Sequence, residues 1–310
     1  MSAPTVQFLS SSNGRHIGEI FFRRVTELGA QTFIKLQNGS GWEEVSWRDF
    51  GAQVRSILLA LYGLGLVMGE SIAIIGENSL QRACADLATL AGGFPNVVIA
   101  PALSDSLLLK VLAHAKCRAA FVEDAIGVGR LLNLQGQLPD LAHIFVMEET
   151  GVHLPHTIDF AELVEKGRRA DAERLTSILE SVHAHDLATI MYTSGSTGEP
   201  KGVMRTQDNL LSNITNGGEI IVSRPDDLFV IVLSLNHLLG RFGFLKSAVT
   251  GRTTAIIKAT EMDLDLKVVE SLAGTAMAMV PRVMQRIWNG LLDREDNRRR
   301  WDMIETLDRK

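Results

Sequence analysis

The chain has 310 residues, 46% of them hydrophobic, with 31 lysines and arginines against 36 aspartates and glutamates. This length predicts one large domain or two ordinary ones, and the ordinary charge content argues against wholesale disorder. The net charge of −5 lacks the basic footprint of a duplex-DNA-binding protein, so no nucleic-acid partner is predicted. Two cysteines cannot form a disulfide framework for a chain of this size and indicate a reducing compartment.

The sequence gives little indication of a targeting segment, a transmembrane segment or a metal site. The N-terminal residues lack the basic start and apolar run of a signal peptide, and the longest apolar stretch, residues 57–68, is too short to span a bilayer. We therefore expect a cytoplasmic protein without a transmembrane segment, which could contact a membrane surface peripherally through its substrate. The pairs His153/His156 and His183/His185 have no further ligands nearby in the sequence, so no metal site is predicted there.

In chain order, short apolar β-branched runs alternate with helical patterns. A helix is predicted over residues 17–28, followed by a hairpin of strands 32–36 and 43–46. Further strands are predicted over 71–75, 96–100, 119–122, 143–146, 188–192, 228–235, 253–257 and 275–280. Further helices are predicted over 47–62, 79–91, 104–115, 207–221, 238–249, 263–272 and 282–292. This alternation predicts an α/β fold whose mainly parallel sheets are buried on both faces.

A charged, low-apolar stretch over residues 165–174 indicates a boundary shortly after it. We therefore predict two units, residues 1–185 and residues 186–310. The charge run over residues 293–300 is interpreted as a solvated helix surface, with phosphate or anionic lipid as alternative partners for its arginines.

Residues 192–202, YTSGSTGEPKG, lie between the predicted strand 188–192 and the predicted helix 207–221. Gly195 and Gly198 allow a backbone with positive φ that approaches a ligand closely. Hydroxyl and N–H groups could then surround a polyphosphate, with Lys201 as a mobile positive charge. An ordinary polar surface loop is the alternative. The Walker pattern, the dinucleotide fingerprint and the G-x-S-x-G nucleophile motif all fail on spacing.

Residues 192–203, YTSGSTGEPKGV, closely resemble the signature loop of the adenylate-forming (AMP-binding) superfamily. This superfamily includes acyl-CoA synthetases, luciferases and peptide-synthetase adenylation domains. The resemblance runs from about residue 15 to residue 292 and includes EEVSWRDF (43–50), GESIAIIGEN (69–78) and LSLNHLLGR (233–241). VPRVM (280–284) is similar to a stretch typical of the long-chain fatty acid members.

The sequence departs from the family pattern in two places. The family often has an aromatic residue shortly after the Glu-Asn pair, where this chain reads SLQR (79–82). Residues 90–102 carry Gly92, Gly93, Phe94 and Asn96 where the family tends to be rich in alanine and then in proline.

The resemblance implies a fold and a reaction. The fold is two mainly parallel α/β subdomains, as in the N-terminal domain of adenylate-forming enzymes, ending before the barrel-like subdomain and the small C-terminal domain. The reaction is that of an acid–thiol ligase, in which ATP and a long-chain fatty acid give an acyl-adenylate and the acyl group passes to coenzyme A. We therefore expect an ATP-binding acyl-CoA synthetase of fatty acid metabolism.

The resemblance also implies roles for individual residues. His237 would lie near the carboxylate and the adenylate, although a histidine bonded to nearby backbone at a strand end is the alternative. Lys201 would balance the charge of pyrophosphate. The β- and γ-phosphates would be held by Thr193, Ser194, Gly195, Ser196, Thr197, Gly198 and Lys201.

The family motifs for the magnesium-binding carboxylate, the ribose-binding aspartate and the C-terminal catalytic lysine are not found in this sequence. The Mg²⁺ ligands are therefore expected outside it, and the chain is expected to be incomplete alone. Self-association or a complementing C-terminal chain would complete it. Two alternatives stay open: a catalytically incomplete nucleotide- or acyl-binding module, and part of an adenylating enzyme that loads a carrier protein.

Overall fold

The computed structural model describes residues 16–38, 41–148, 154–194, 200–220, 227–257, 270–272 and 274–292. Its helices are α1 (Ile17–Leu28), α2 (Trp47–Gly63), α3 (Leu80–Ala91), α4 (Asp105–His114), α5 (Ala125–Leu134), α6 (Phe160–Arg168), α7 (Arg174–Ser181), α8 (Gln207–Ile220), α9 (Leu238–Thr250) and α10 (Pro281–Leu292). The predicted helix over 263–272, apart from its last residues, and the charge run over 293–300 lie outside the described residues.

Twelve strands are described. They are β1 (Thr32–Asn38), β2 (Gly41–Ser46), β3 (Ile72–Ile75), β4 (Asn96–Ile99), β5 (Ala119–Val122), β6 (His143–Val146), β7 (Thr157–Asp159), β8 (Leu187–Ser194), β9 (Pro200–Thr206), β10 (Leu228–Ile231), β11 (Thr253–Ile256) and β12 (Ala276–Met277).

These strands form two sheets. The larger has the order β7-β6-β5-β3-β4-β8-β9 and is parallel except where β9 runs antiparallel to β8. The smaller has the order β12-β10-β11-β1-β2 and is parallel except for the β1–β2 hairpin. The predicted α/β class with two mainly parallel sheets is confirmed. Helices α1, α2, α3 and α9 contribute to the largest core cluster, which contacts strands of both sheets.

The predicted division at residues 185 and 186 does not coincide with the division between the sheets. Strands β8 and β9 follow it in the sequence but extend the larger sheet. Strands β1 and β2 precede it but belong to the smaller sheet, where β1 pairs with β11 and with β2. The division of the chain into two folding domains, residues 1–185 and residues 186–310, stays a prediction.

Four aromatic rings connect α1, β1 and α2 at the centre of the core. Phe33 of β1 stacks on Trp47 at the start of α2, with ring centroids 3.8 Å apart. Phe21 and Phe50 pack edge to face against each other, and Phe50 meets Phe33 in the same way. All four rings are buried, so the entry hairpin is held by packing with the helices as well as by its pairing with β11.

Local signals fix several helix starts. Ser46, Ser79 and Asp124 precede α2, α3 and α5, and each side chain accepts a hydrogen bond from the backbone N–H three residues later. This is the N-cap geometry expected of serine and aspartate. Among the residues that the structure describes, no helix has the length and apolar character needed to cross a bilayer.

Gly167 of α6 allows helices α2 and α6 to approach each other closely. A Cβ placed on Gly167 of α6 would collide with the backbone carbonyl oxygen of Ser56 in α2. By contrast, Gly129 in α5 has no heavy atom within 4 Å of such a Cβ.

We predict opposite effects of the same substitution at these two helical glycines. Gly167→Ala should lower the free energy of unfolding by about 1–3 kcal/mol, since backbone atoms must separate to admit the methyl group. Gly129→Ala should raise it by about 0.5–1 kcal/mol through helix propensity alone. Urea unfolding of the three proteins measures both values. Equal effects at the two positions would contradict the described α2–α6 contact.

Candidate active site

A cleft of about 230 Å³ lies at the carboxyl ends of β4 and β8. Most of its lining is apolar, and two lining residues, Thr193 and His237, were proposed from the sequence. The complete lining is Val98, Ile99, Ala100, Leu103, Leu107, Val111, Tyr192, Thr193, Pro200, Asn236 and His237. Ligands of open α/β sheets bind outside the carboxyl ends of the strands, where this cleft lies.

The glycine-rich loop connects β8 to β9. Gly195, Ser196, Thr197 and Gly198 lie outside the described residues, and of Ser194 only the backbone is described, as the last residue of β8. Strand β9 separates this loop from the helix at 207–220 and was not predicted. Thr193 of β8 lies directly opposite the exposed Lys201 of β9 in the antiparallel register.

The alternation of side chains places Lys201 on a definite face of this hairpin. Thr189 accepts a hydrogen bond from Arg241 Nη1 of α9, at 2.8 Å. Residues two and four positions along a strand share its face, so Thr193 points to the same side as Thr189. Opposite residues of an antiparallel pair also share a face. Lys201 therefore lies on the side of the hairpin that α9 occupies.

His237 occupies the N-cap position of α9. Its backbone is extended, its side chain makes no capping hydrogen bond, and the residue is exposed at the cleft. Its backbone N–H donates to the carbonyl oxygen of Ser234, at 3.0 Å. The imidazole thus reaches the cleft and does not cap the helix. It is therefore available to a ligand.

Two distant segments of the sequence fix the backbone that precedes His237. Asn78, in the loop after β3, donates to the carbonyl oxygen of Leu233 at 3.0 Å and accepts from the N–H of Leu235 at 2.8 Å. Asn236 donates to the carbonyl oxygen of Gly76, also at 3.0 Å. The two family-like stretches GESIAIIGEN and LSLNHLLGR therefore meet in space, at residues 76–78 and 233–236.

A buried polar network contacts the segment of residues 233–236 that precedes His237. Arg241 Nε and Nη2 donate to the two carboxylate oxygens of Asp86 in α3, at 2.8 and 2.7 Å. Arg241 also donates to Asn96 Oδ1 of β4 at 2.8 Å. Arg82 Nη2 donates to the carbonyl oxygen of Leu235, at 2.8 Å. Neither arginine is more than 1% exposed, so these contacts replace water almost completely.

Burial and charge act in opposite directions on this network. Burial lowers the pKa of Arg82 to about 10. Burial also works to raise the pKa of Asp86, but the guanidiniums of Arg241 and Arg82 outweigh it and hold that pKa below its ordinary value. Asp86 is therefore ionised at neutral pH and tied to two cations.

Sequence reasoning missed this network. Arg82 and Asn96 both fall within the two departures from the family pattern, but a departure alone shows no partner. Asp86 and Arg241 are 155 positions apart in the chain, and no local pattern connects them. The signal available was a pair of opposite charges, Arg82 and Asp86, four positions apart in a helix whose other residues are mostly apolar.

Within the described part of the chain, no group of three or more histidine, cysteine, aspartate or glutamate side chains could hold a metal ion.

Comparison with known proteins gives three kinds of match. A family model described as "AMP-binding enzyme" matches residues 21–304. The chain is 29% identical over 253 residues to the long-chain-fatty-acid–CoA ligase FadD15 of Mycobacterium bovis, a match that covers 80% of this chain and 40% of the relative. It is 28% identical to the long-chain-fatty-acid–CoA ligase ACSBG2 of Xenopus laevis, covering 72% of this chain and 31% of that relative.

A solved structure has the same fold. The adenylation domain of a carboxylate reductase from Mycobacterium chelonae superposes with a TM-score of 0.78 at 18% identity, covering 92% of this chain and 49% of the other. The chain thus spans less than half the length of the curated relatives named above.

The Asp86–Arg241 pair generates a stability prediction. Arg241→Met should lower the free energy of unfolding at pH 7 by about 3–5 kcal/mol, because Asp86 stays buried without its main partner. The native pKa of Asp86 is lowered, so the stabilisation is present above about pH 4 and is lost as the pH falls through that native pKa. The difference between wild type and variant should therefore narrow below pH 4 in denaturant unfolding.

Arg169→Met is the matched control. Arg169 pairs with Glu165 on the surface, with 78% of its side chain exposed, so its loss should change stability by no more than about 0.5 kcal/mol at either pH. If Arg241→Met changed the free energy of unfolding as little as Arg169→Met, the Asp86–Arg241 pair would not hold α3 and α9 together.

Proposed function

Because the chain belongs to the AMP-binding enzyme family, we propose that it is the N-terminal portion of an ATP-dependent acyl-CoA synthetase. It would activate a long-chain fatty acid as an acyl-adenylate before transfer to coenzyme A. The observation that carries this proposal is the cleft itself, where the hairpin of the glycine-rich loop, His237 and an apolar pocket converge. A nucleotide and an apolar acid could meet there.

The reaction explains why such residues are needed. A carboxylate is a poor electrophile, and adenylation gives it a good leaving group. Attack of the carboxylate on the α-phosphorus requires positioning and neutralisation of charge more than a protein nucleophile. We assign the phosphates to Thr193, the loop residues 194–198 and Lys201, with Lys201 neutralising pyrophosphate. His237 would hold the carboxylate and the forming adenylate by hydrogen bonding.

The pocket supports a fatty acid as substrate. Val98, Ile99, Leu103, Leu107 and Val111 present aliphatic side chains to the cleft, and burial of an acyl chain against them gains roughly 0.8 kcal/mol per methylene. The curated relatives named above are long-chain-fatty-acid–CoA ligases. Coenzyme A is accordingly the proposed acceptor, in preference to a carrier protein.

The remaining parts of the proposal concern what lies outside this chain. Mg²⁺ would be bound with ATP through groups supplied by other residues. Among the described strands, β12 ends one edge of the smaller sheet, and a further strand could pair with its backbone groups. We propose that a C-terminal polypeptide, or a second copy of this chain, covers that edge in a cytoplasmic enzyme.

Lys201 provides a test of nucleotide binding. Lys201→Ala should raise the Kd for ATP about 10- to 100-fold, the loss expected for a charge-assisted contact. Fatty acid affinity should stay unchanged, since the apolar pocket is not altered. Isothermal titration of the purified 310-residue chain measures both. Lys166→Ala, which removes an exposed lysine of α6, is the control and should leave both constants as in wild type.

His237 provides a test of the acyl-adenylate position. His237→Ala should weaken binding of a non-hydrolysable fatty acyl-adenylate analogue about tenfold. The unfolding free energy should change by less than about 0.5 kcal/mol, because the side chain is exposed and makes no capping bond. His185→Ala, at another exposed histidine, is the control. A large loss of stability with unchanged analogue affinity would support the structural interpretation of His237.

A further inference from the structure

Tyr192 is held in place from two sides. Its hydroxyl oxygen lies 2.7 Å from Nδ1 of His114, the last residue of α4. The two rings meet edge to face, with centroids 5.8 Å apart. The phenol is also part of the cleft lining. One aromatic side chain thus connects the strand of the glycine-rich loop to the end of α4.

Gly202 supports the ring from the neighbouring strand. It lies directly opposite Tyr192 in the β8–β9 register. A Cβ at Gly202 would lie 3.2 Å from Cζ of Tyr192 and 2.9 Å from a methyl carbon of Ile190. The absence of a side chain at position 202 therefore lets the tyrosine ring lie flat against β9, in a position that a larger residue would disturb.

Helix α4 shows where the cleft ends. Leu107 and Val111 lie on successive turns of one helix face and line the cleft, and His114 is the next residue on that face. His114 does not belong to the lining; it is exposed, and its Nδ1 contacts the Tyr192 hydroxyl. The cleft therefore stops between Val111 and His114, at the tyrosine ring.

We infer that Tyr192, positioned by His114 and Gly202, forms the end wall of the acyl pocket and sets the length of the fatty acid that the pocket accepts. This inference rests on the proposed function, since it assumes that the cleft holds the acyl chain. Tyr192 is the specificity-determining residue, and His114 and Gly202 are positioning residues that act through its ring.

The experiment measures the Kd of the 310-residue chain for saturated fatty acids of increasing length by isothermal titration, with wild type and variants in parallel. Tyr192→Ala removes the wall, so its affinity maximum should move to longer acids. Each additional buried methylene should tighten binding roughly three- to fourfold. His114→Ala and Tyr192→Phe should leave the affinity maximum at the same acid length but reduce discrimination against longer acids. The double variant that combines His114→Ala with Tyr192→Phe should show the same length profile as each single variant.

Controls separate this effect from a loss of folding. Tyr62→Phe removes the other tyrosine hydroxyl of the chain, which donates to Gly92, and should leave the length profile unchanged. His114→Gln, which keeps a hydrogen-bonding group, should restore discrimination. Thermal unfolding should show that each variant is folded.

The outcomes distinguish the two levels of the argument. Fatty acid binding by wild type, with the same length profile in Tyr192→Ala, would overturn the end-wall inference and leave the proposed function standing. A wild-type chain that binds no fatty acid of any length would overturn the proposed substrate class and, with it, the inference. A shift of the maximum in Tyr192→Ala, absent from Tyr62→Phe, would support both.

Discussion

The carboxylate of Asp86 is the constraint on which the site depends. Buried without partners, it would be among the most costly groups in the protein. It is stable because Arg241 from α9, Arg82 from α3 and Asn96 from β4 converge on it. Because these contacts come from three elements, satisfying one charge fixes α9 relative to the larger sheet. Helix α9, whose N-cap is His237, is thereby held in a fixed position relative to β8, the strand that leads into the glycine-rich loop.

The network also has a surplus of positive charge. Two guanidiniums face one carboxylate. Other donors of the pair reach Thr189, Asn96 and the backbone of Leu235, whereas the buried Arg82 Nε has no hydrogen-bond partner among the described residues. Neutral oxygens satisfy these donors without cancelling the charge. A positive field in a water-excluded region favours anionic ligands at little cost in reorganisation. The stability of the fold and the proposed binding of a polyphosphate would therefore depend on the same buried group.

Sequence patterns predicted best the elements whose signals are local. Strands β5 and β6 were predicted with their observed ends because each is a short apolar run buried on nearly every residue. Strand β9 was missed because PKGVMRT begins with proline, contains glycine and is largely exposed at a sheet edge. The strand predicted over residues 228–235 ends at Ile231, since Asn78 takes the backbone groups of Leu233 and Leu235. Such non-local partners explain why the loops and sheet order could not be predicted.

The candidate site depends on register in the β8–β9 hairpin. Side-chain alternation directs Tyr192 toward α4 and the next residue, Thr193, toward the side of α9. One strand thus carries an aromatic and a hydroxyl side chain on opposite faces, and both residues line the cleft. A slip of one residue would exchange the two faces and place the ring on the side of Thr193 and Lys201, where the phosphates are proposed to bind. Gly202 opposes that slip because a side chain opposite Tyr192 would crowd its ring. The glycine would therefore support the proposed chemistry of the loop although it lies outside the predicted phosphate-binding residues.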